Sequence, residues 1–220
     1  PVPMSKVLFQ CSGSEANDVA IKLVWYYHNA IGKPEKRKII SRHMGYHGST
    51  VASVSLSGKP DMHADFNLPL DGFLHTDWPH FYRHSEPGES EIEYSSRLAQ
   101  RLESLIISEG PETIAAFFAE PVMGAAGGVV PPEGYFEKVQ SVLRKYDILF
   151  VVDEVVCGYG RTGRMWGSET YNIHPDILTT AKALSAAALP ISAVMVNDKI
   201  YQAMLDESDK LGSFAHGFTY

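Results

Sequence analysis

Short apolar stretches alternate along this chain with longer stretches in which apolar residues recur every three or four positions. Continuous apolar runs of this length are typical of buried strands, whereas the i, i+3, i+4, i+7 spacing is typical of helices that bury one face. The predicted strands are residues 7–11, 38–41, 113–120, 148–153, 176–180 and 191–196. The predicted helices follow Ser12, begin near Ser49, cover 91–107 and run from Tyr135 to Tyr146. Because strands and helices alternate, we predict an α/β fold with a mixed, mostly parallel sheet and helices on both faces.

One long stretch, residues 58–88, shows neither periodicity. It is rich in proline, glycine, aspartate and histidine, which are residues of turns and loops. We therefore predict an irregular segment. A loop of this length inside a compact domain is usually functional or packed over a neighbouring element.

Composition limits the classes of protein to consider. The 220 residues are 45% hydrophobic, which is enough for one large domain with a substantial core. The net charge is −7 and charges of both signs are interspersed, so we expect no nucleic-acid surface. No apolar run is long enough to cross a bilayer, and no signal peptide is visible at the start. With two cysteines, Cys11 and Cys157, we expect a reducing, cytoplasmic location.

The two ends of the sequence look like cuts through a longer chain. It begins at Pro1 without an initiator methionine and stops at Tyr220, shortly after the apolar Phe218. We therefore expect the sequence to be part of a larger protein.

An aspartate follows the most apolar predicted strand. Asp153 comes after Leu149, Phe150, Val151 and Val152, and an ionised carboxylate there needs a partner. A protonated ring nitrogen would be one; an N-cap or a salt bridge to Arg161 are the alternatives. Glu154 points to the other side of the strand and is predicted to be structural. Val155 shares the face of Asp153.

A lysine lies in an otherwise small and apolar segment. Lys182 stands between Ala181 and Ala183. Lysine is rarely buried without a function, and burial would lower its pKa so that a neutral, nucleophilic amine becomes accessible. The alternative is a surface lysine whose stem packs on the protein while its amine reaches water.

Ser12-Gly13-Ser14-Glu15 is a capping-box sequence at the start of the first helix. The amides of Gly13 and Ser14 are then first-turn donors, which attract phosphate. Taken alone, the motif favours a helix cap with no ligand.

Gly45-Tyr46-His47-Gly48 follows a strand, at the place where parallel sheets bind ligands. The ring of Tyr46 could stack on a flat ligand or simply plug the end of the sheet. His47 is predicted to be a hydrogen-bonded turn residue.

Two further patterns are weaker. Residues 158–163, Gly-Tyr-Gly-Arg-Thr-Gly, lack the lysine of a phosphate loop and the spacing of a dinucleotide site, and we predict a flexible active-site loop. Histidines 63, 75, 80 and 84 lack the spacing of metal ligands, so we expect no metal site.

Taken together, the motifs resemble the class III pyridoxal-phosphate-dependent aminotransferases of the ω-amino acid:pyruvate type. The matching segments keep the family's order and cover nearly the whole chain: residues 12–18, 45–48, 120–122, 153–163, 175–182, 190–194 and 216–220. The resemblance implies the large domain of the fold type I transferases and pyridoxal 5′-phosphate as cofactor.

The resemblance also implies a role for each site residue. Lys182 would carry the cofactor as an aldimine, and Asp153 would keep the pyridine nitrogen protonated. Gly13 and Ser14 would bind the phosphate, Tyr46 and Val155 would cover the two ring faces, and Glu120 would lie near the cofactor. Thr219 would reach the phosphate of the other subunit, which implies a homodimer with shared active sites.

The sequence departs from the family in length and near the lysine. Family members are roughly twice as long, so residues 1–220 would form most of the large domain, without the N-terminal segment and the C-terminal small domain. The arginine that commonly pairs the substrate carboxylate would lie in the missing part. Relatives often carry an aromatic residue near Ala188, and a smaller one would enlarge the site or soften the turn.

The implied activity moves an amino group from an amine or ω-amino acid to a keto acid such as pyruvate, by a ping-pong reaction. An aminomutase with the same cofactor is the nearest alternative. A nucleotide-binding oxidoreductase and an inert fragment are more remote alternatives.

Overall fold

The structure is a computed structural model that describes residues 3–212 and 214–217, except for the side chain of Leu211. Its centre is one sheet in the order β1-β7-β6-β5-β4-β2-β3. The strands are β1 (Lys6–Gln10), β2 (Lys38–Arg42), β3 (Phe73–Thr76), β4 (Ile114–Ala119), β5 (Leu149–Asp153), β6 (Ile177–Thr180) and β7 (Ser192–Val196). The pairs formed by β7 with β1 and with β6 are antiparallel, and the other pairs are parallel. The predicted mixed, mostly parallel sheet is therefore confirmed.

Helices cover both faces of the sheet, as the sequence predicted. They are α1 (Gly13–Ala30), α2 (Val51–Leu56), α3 (Pro60–His63), α4 (Phe81–His84), α5 (Glu91–Glu109), α6 (Tyr135–Lys145), α7 (Gly167–Thr170) and α8 (Asp198–Leu211). One core cluster lies under α1 and contains Val19, Leu23 and Val24 with Val151 of β5. The other lies under α5 and α6 and contains Leu102 and Val139. Because successive residues of a strand point to opposite faces, the continuous apolar run of β5 serves both clusters.

The prediction of an irregular segment over 58–88 was wrong in part. The structure has a strand there, β3, flanked by the short helices α3 and α4. Phe73 to Thr76 pair in parallel with Ile39 to Arg42 at the edge of the sheet. Four residues among prolines and glycines carry too little pattern to predict, and the strand exists because β2 offers it hydrogen bonds.

The strand directions bring several chain segments to one edge of the sheet. The parallel strands β4, β5 and β6 all end there, and so does β1, because β7 runs antiparallel to both β1 and β6. Helix α1 begins two residues beyond the end of β1. Ligands of open α/β sheets bind at such an edge.

Among the described helices, none is both long and apolar enough to cross a lipid bilayer.

Candidate active site

A cleft of about 600 Å³ opens at this edge of the sheet, between the start of α1 and the ends of β5 and β6. It is lined by seven of the eight residues that the sequence singled out: Gly13, Ser14, Tyr46, Glu120, Asp153, Val155 and Lys182. The eighth, Thr219, lies outside the described residues. Residues up to 169 positions apart in the sequence thus share one wall.

The start of α1 has the geometry of a phosphate cradle. Ser12 is the N-cap, and its hydroxyl oxygen accepts a hydrogen bond from the amide of Glu15 at 3.2 Å. The Glu15 carboxylate in turn accepts from the Ser12 hydroxyl at 2.9 Å and from the amide of Cys11 at 3.2 Å. The amides of Gly13 and Ser14 have no partner within the helix and point outward from its positive end.

Close packing around Gly13 leaves little room for a side chain. A Cβ there would lie 3.1 Å from both γ-methyl groups of Val155. The start of α1 therefore lies directly against Val155, two residues beyond the end of β5. This contact fixes the distance between the cradle and the end of the strand that carries Asp153.

The loop after β2 closes over the cradle. Gly48 has a φ of +142°, and a Cβ at this position would overlap Ser14 and Ser53. The amide of Ser49 donates to the Ser14 hydroxyl at 2.9 Å, and the hydroxyls of Tyr46 and Ser49 are 3.1 Å apart. The half-buried Tyr46 ring is thereby held on the wall of the cleft.

Asp153 is buried at the end of β5, with its side chain 4% exposed. One carboxylate oxygen, Oδ1, accepts from the amide of Val155 at 3.0 Å. The other, Oδ2, accepts from the side-chain amide of Asn17 at 2.8 Å and bonds with Nδ1 of His47 at 2.9 Å. Arg161 lines the same cleft but does not pair with Asp153, so that alternative from the sequence is wrong.

His47 and Asn17 are site residues whose role the sequence did not indicate. His47 is a hydrogen-bonded turn residue, as predicted, but its partner is Asp153. Its Nε2 is buried without a partner in the described chain. Asn17 lies in a helix and His47 in a Gly-rich turn, where polar residues are common. Nothing in the local sequence therefore reveals that each has a partner more than 100 positions away.

Glu120 follows β4 and is 3% exposed. Its carboxylate accepts from the amides of Tyr46 at 3.2 Å and Gly124 at 3.1 Å. Burial raises the pKa of Glu120 above its ordinary value, and the nearby Asp153 adds to the rise. Its contact with the backbone of Tyr46 ties the wall of the cleft to the end of β4.

Lys182 begins a 3-10 turn directly after β6, with a φ of +46°. The sequence suggested a buried lysine with a lowered pKa, and the expected burial is wrong for the described chain: Lys182 is exposed on the wall of the cleft. The reason is that the chain leaves the sheet at Thr180, so the lysine stands beyond the strand ends rather than between them. Its amine is accessible to a ligand in the cleft.

Glu154 is structural, as the sequence predicted. It points away from Asp153, is fully buried, and accepts from the amides of Gly167 at 3.0 Å and Ser168 at 2.6 Å. Burial raises its pKa above the ordinary value. Its contacts hold the start of α7 against the end of β5.

The histidines of the 58–88 segment lie in two separate groups. The rings of His63 and His75 are 5.6 Å apart, and those of His80 and His84 are 6.1 Å apart beside Trp78. Within residues 3–212 and 214–217, no three His, Cys, Asp or Glu residues are arranged to hold a metal ion.

The cleft fits the cofactor that the motifs imply. It offers helix-end amides for a phosphate, a buried carboxylate for a protonated ring nitrogen, and an accessible amine for an aldehyde. Tyr46 and the apolar Val155 provide surfaces for a flat ring. A buried carboxylate with no lysine or arginine partner in the described chain is the feature that most requires a cationic ligand.

Comparisons with known proteins agree with this geometry. Residues 1–220 match the family model described as aminotransferase class-III. Vanillin aminotransferase of Capsicum frutescens is 60% identical over 217 residues, which are 99% of this chain and 47% of that protein. Gamma aminobutyrate transaminase 3, chloroplastic, of Solanum lycopersicum is 59% identical over 217 residues, 42% of that protein.

Solved structures give the same result. The crystal structure of the omega transaminase from Pseudomonas jessenii in complex with PMP superposes with a TM-score of 0.97 at 56% sequence identity. The match covers 99% of this chain and 48% of that one. The chain spans about half the length of the curated relatives it matches.

Proposed function

Since the chain belongs to the class-III aminotransferases, we propose that the protein moves an amino group from an amine or ω-amino acid to a keto acid by a ping-pong reaction. Its fold is that of the fold type I enzymes, and pyridoxal phosphate is the cofactor of this family. The observation that carries the proposal is the arrangement of Asp153 and Lys182 around one cleft. A buried carboxylate with no lysine or arginine partner among the described residues faces the same space as an accessible amine.

Different residues bind the phosphate, the ring faces and the ring nitrogen of the cofactor. The amides of Gly13 and Ser14 bind the phosphate, and the φ of Gly48 lets the neighbouring loop pack on Ser14. Tyr46 and Val155 bind the two faces of the ring. Asp153 holds a proton at the ring nitrogen through a charge-assisted hydrogen bond, worth about 1.5–3 kcal/mol.

When bound, pyridoxal phosphate supplies an aldehyde that condenses with amines and a ring that accepts electrons from a carbanion. Lys182 would hold the cofactor through its aldehyde carbon. Its amine, exposed on the wall of the cleft, would also be placed to act as general base for the proton on Cα of the donor. Asp153 would keep the ring nitrogen protonated, so that the ring accepts electrons.

The donor and acceptor are proposed by class. An amine or ω-amino acid donor and a pyruvate-like keto acid acceptor agree with the names of the relatives, which include vanillin and gamma aminobutyrate transaminases. Two-substrate kinetics separate this proposal from an aminomutase. Parallel double-reciprocal lines indicate transfer between two molecules, whereas turnover of one substrate without an acceptor would contradict it.

The direct test replaces Lys182 with alanine in the complete protein. On addition of pyridoxal phosphate, the wild type should develop the visible absorbance band of a lysine-bound cofactor, and Lys182→Ala should not. Lys210→Ala is the matched control, because Lys210 is an exposed lysine that pairs with Glu207 at 2.7 Å on α8. Loss of the band in the control, or its persistence in Lys182→Ala, would contradict the role given to Lys182.

We propose that residues 1–220 form most of the large domain and that the active protein is a homodimer with shared sites. The proposal is supported by the share of each relative that the chain covers and by the resemblance of residues 216–220 to a family segment. In this dimer Thr219 reaches the phosphate bound by the other subunit.

We propose a cytoplasmic location on the basis of the two free thiols, Cys11 and Cys157. Some relatives are named chloroplastic or mitochondrial. Imaging of the complete protein fused to a fluorescent tag at its C-terminus tests the location, and an organellar signal would refute it.

A further inference from the structure

A single buried amide connects four parts of the site. Asn17 lies in α1 and is 1% exposed. Its Nδ2 donates to Oδ2 of Asp153 at 2.8 Å and to the carbonyl oxygen of His47 at 2.6 Å. Its Oδ1 accepts from the hydroxyl of Thr179 at 2.8 Å. Three of the four hydrogen bonds that a carboxamide can make are thus formed.

The hydrogen bonds fix the orientation of this amide. The carbonyl oxygen of His47 can only accept, so the group facing it must be the NH2 of Asn17. The opposite side of the amide is then the oxygen, and Thr179 must be its donor. Thr179 is fully buried in β6, directly opposite Asp153 in the strand pairing. The sheet therefore sets which way the amide points.

The amide in turn restricts the Asp153 carboxylate. The torsion that rotates a carboxylate is broad and roughly two-fold, so packing alone does not hold it. Oδ1 has one donor, the amide of Val155, and Oδ2 has two, Asn17 and His47. Without Asn17, Oδ2 of Asp153 would lose one of its two donors, and the plane of the carboxylate would no longer be fixed.

We propose that Asn17 is a positioning residue that holds the plane of the Asp153 carboxylate for its contact with the cofactor's ring nitrogen. The inference rests on the proposed function. Asn17 lies one helical turn after Gly13, about 6 Å along the axis of α1. One rigid helix therefore carries both the phosphate donors and the anchor of the ring-nitrogen partner, and sets the spacing between the two ends of the ligand.

The test compares two ligands that differ only at the ring nitrogen. One is pyridoxamine phosphate, whose amine does not condense with Lys182. The other is its analogue with C–H in place of the ring nitrogen. Dissociation constants are measured by fluorescence titration on the complete protein. In Asn17→Leu, binding of pyridoxamine phosphate should weaken about tenfold or more, because a hydrogen bond to a charged group is lost. Binding of the analogue should change less than about twofold.

A matched pair at Thr179 tests the same contact with a smaller disturbance. Thr179→Val keeps the shape but removes the hydroxyl that orients Asn17, and Thr179→Ser keeps the hydroxyl. We expect Thr179→Val to weaken the binding of pyridoxamine phosphate but not that of the analogue. Thr179→Ser should bind both ligands as the wild type does. If Asn17→Leu does not fold, this pair decides the question.

The outcomes separate the inference from the proposed function. An equal loss of affinity for both ligands, or no loss, would overturn the positioning role, because a purely structural residue does not distinguish the two. A wild type that binds both ligands equally would instead refute the contact between Asp153 and the ring nitrogen, on which the proposed function rests.

Discussion

At the scale of single residues, the site contrasts a buried acid with an exposed amine. Asp153 is held by three donors, whereas Lys182 stands free at the start of a turn with a positive φ. A fixed partner for the ring and a mobile amine suit their proposed roles, because the ring must stay in place while the lysine is displaced and moves a proton.

The two cysteines should differ strongly in reactivity. Cys157 is 1% exposed, its thiol contacts the backbone of Val122 at 3.4 Å, and burial raises its pKa to about 12. Cys11 is half-buried on the wall of the cleft. Because only the thiolate reacts, we expect iodoacetamide to label Cys11 and to leave Cys157 unmodified at pH 8.

Mass spectrometry of the labelled protein provides the measurement, and Cys11→Ser is the control that should take up no label. Pyridoxal phosphate should slow the labelling of Cys11 if it occupies the cleft. Faster labelling of Cys157 than of Cys11 would show that the cleft or the core differs from the structure described above.

The residues proposed to touch the ligand could be singled out from the sequence, and the residues that hold them in place could not. Asp153 and Lys182 are unusual for their local surroundings, since each is a charged residue in an apolar stretch. Asn17, His47 and Thr179 are ordinary in a helix, a turn and a strand. Their importance arises only from contacts across 106 to 162 positions, which the fold creates and no local pattern records. For the same reason the exposure of Lys182 was not predictable.

At the scale of elements, α1 is held to the sheet at both ends. Its start packs on Val155, and near its last turn His28 bonds through Nε2 to the carbonyl oxygen of Ala115 in β4 at 2.9 Å. The other ring nitrogen of His28 is buried without a partner among the described residues. Burial lowers the pKa of His28 to about 4. This histidine must therefore be neutral in the folded state.

This contact predicts a loss of stability in acid. The pKa of His28 is about 4 when folded and about 6.5 when unfolded, so the unfolded chain binds more protons between these values. The free energy of unfolding is therefore unaffected above pH 6.5 and falls as the pH decreases towards 4. Between pH 7.5 and pH 5 we expect this histidine to account for a loss of about 2 kcal/mol.

Urea denaturation at the two pH values measures the effect. His28→Leu should be less stable than the wild type at pH 7.5 but should lose less stability on acidification. His174→Leu is the control, since His174 is exposed and its removal should leave the wild-type pH dependence. An identical acid loss in His28→Leu and the wild type would refute the prediction.

Elements with a strong local pattern were predicted well, and elements that depend on a neighbour were not. Helix α5 combines an apolar stripe with a capping box at Ser90 and a stop at Gly110, whose φ is +89°. Strand β3 has four residues, of which only its first and last, Phe73 and Thr76, are buried, and it owes its conformation to pairing with β2. The parallel or antiparallel direction of each strand likewise became visible only in the assembled sheet.

At the scale of the whole molecule, the proposed dimer predicts complementation between two inactive variants. Lys182→Ala removes the amine proposed to be catalytic, and in the proposed dimer Thr219→Asp would place a negative charge beside the partner's phosphate. A mixed dimer contains one site with an intact Lys182 from one chain and an intact Thr219 from the other. Co-expression of the two variants should therefore restore transaminase activity that neither has alone.

Each variant carries a different affinity tag, so that two successive purifications isolate the heterodimer. The activity of this heterodimer is then measured. Co-expression of Lys182→Ala with the wild type is the control, because it gives the activity expected of a dimer with one intact amine. If tagged heterodimers form and remain inactive, the site is not shared through Thr219. A single-chain mass by light scattering would contradict the dimer itself.

The position of β7 between β1 and β6 has a consequence for protein synthesis. Strand β1 is synthesised before its neighbour β7, which ends at Val196, and Asn17 of α1 meets Asp153, which lies 136 residues further along the chain. Until then, the apolar face of α1 has no complete surface to pack on. The nascent chain therefore exposes the apolar face of α1 until β7 has been synthesised. Chaperones that recognise exposed apolar segments can bind it during this period.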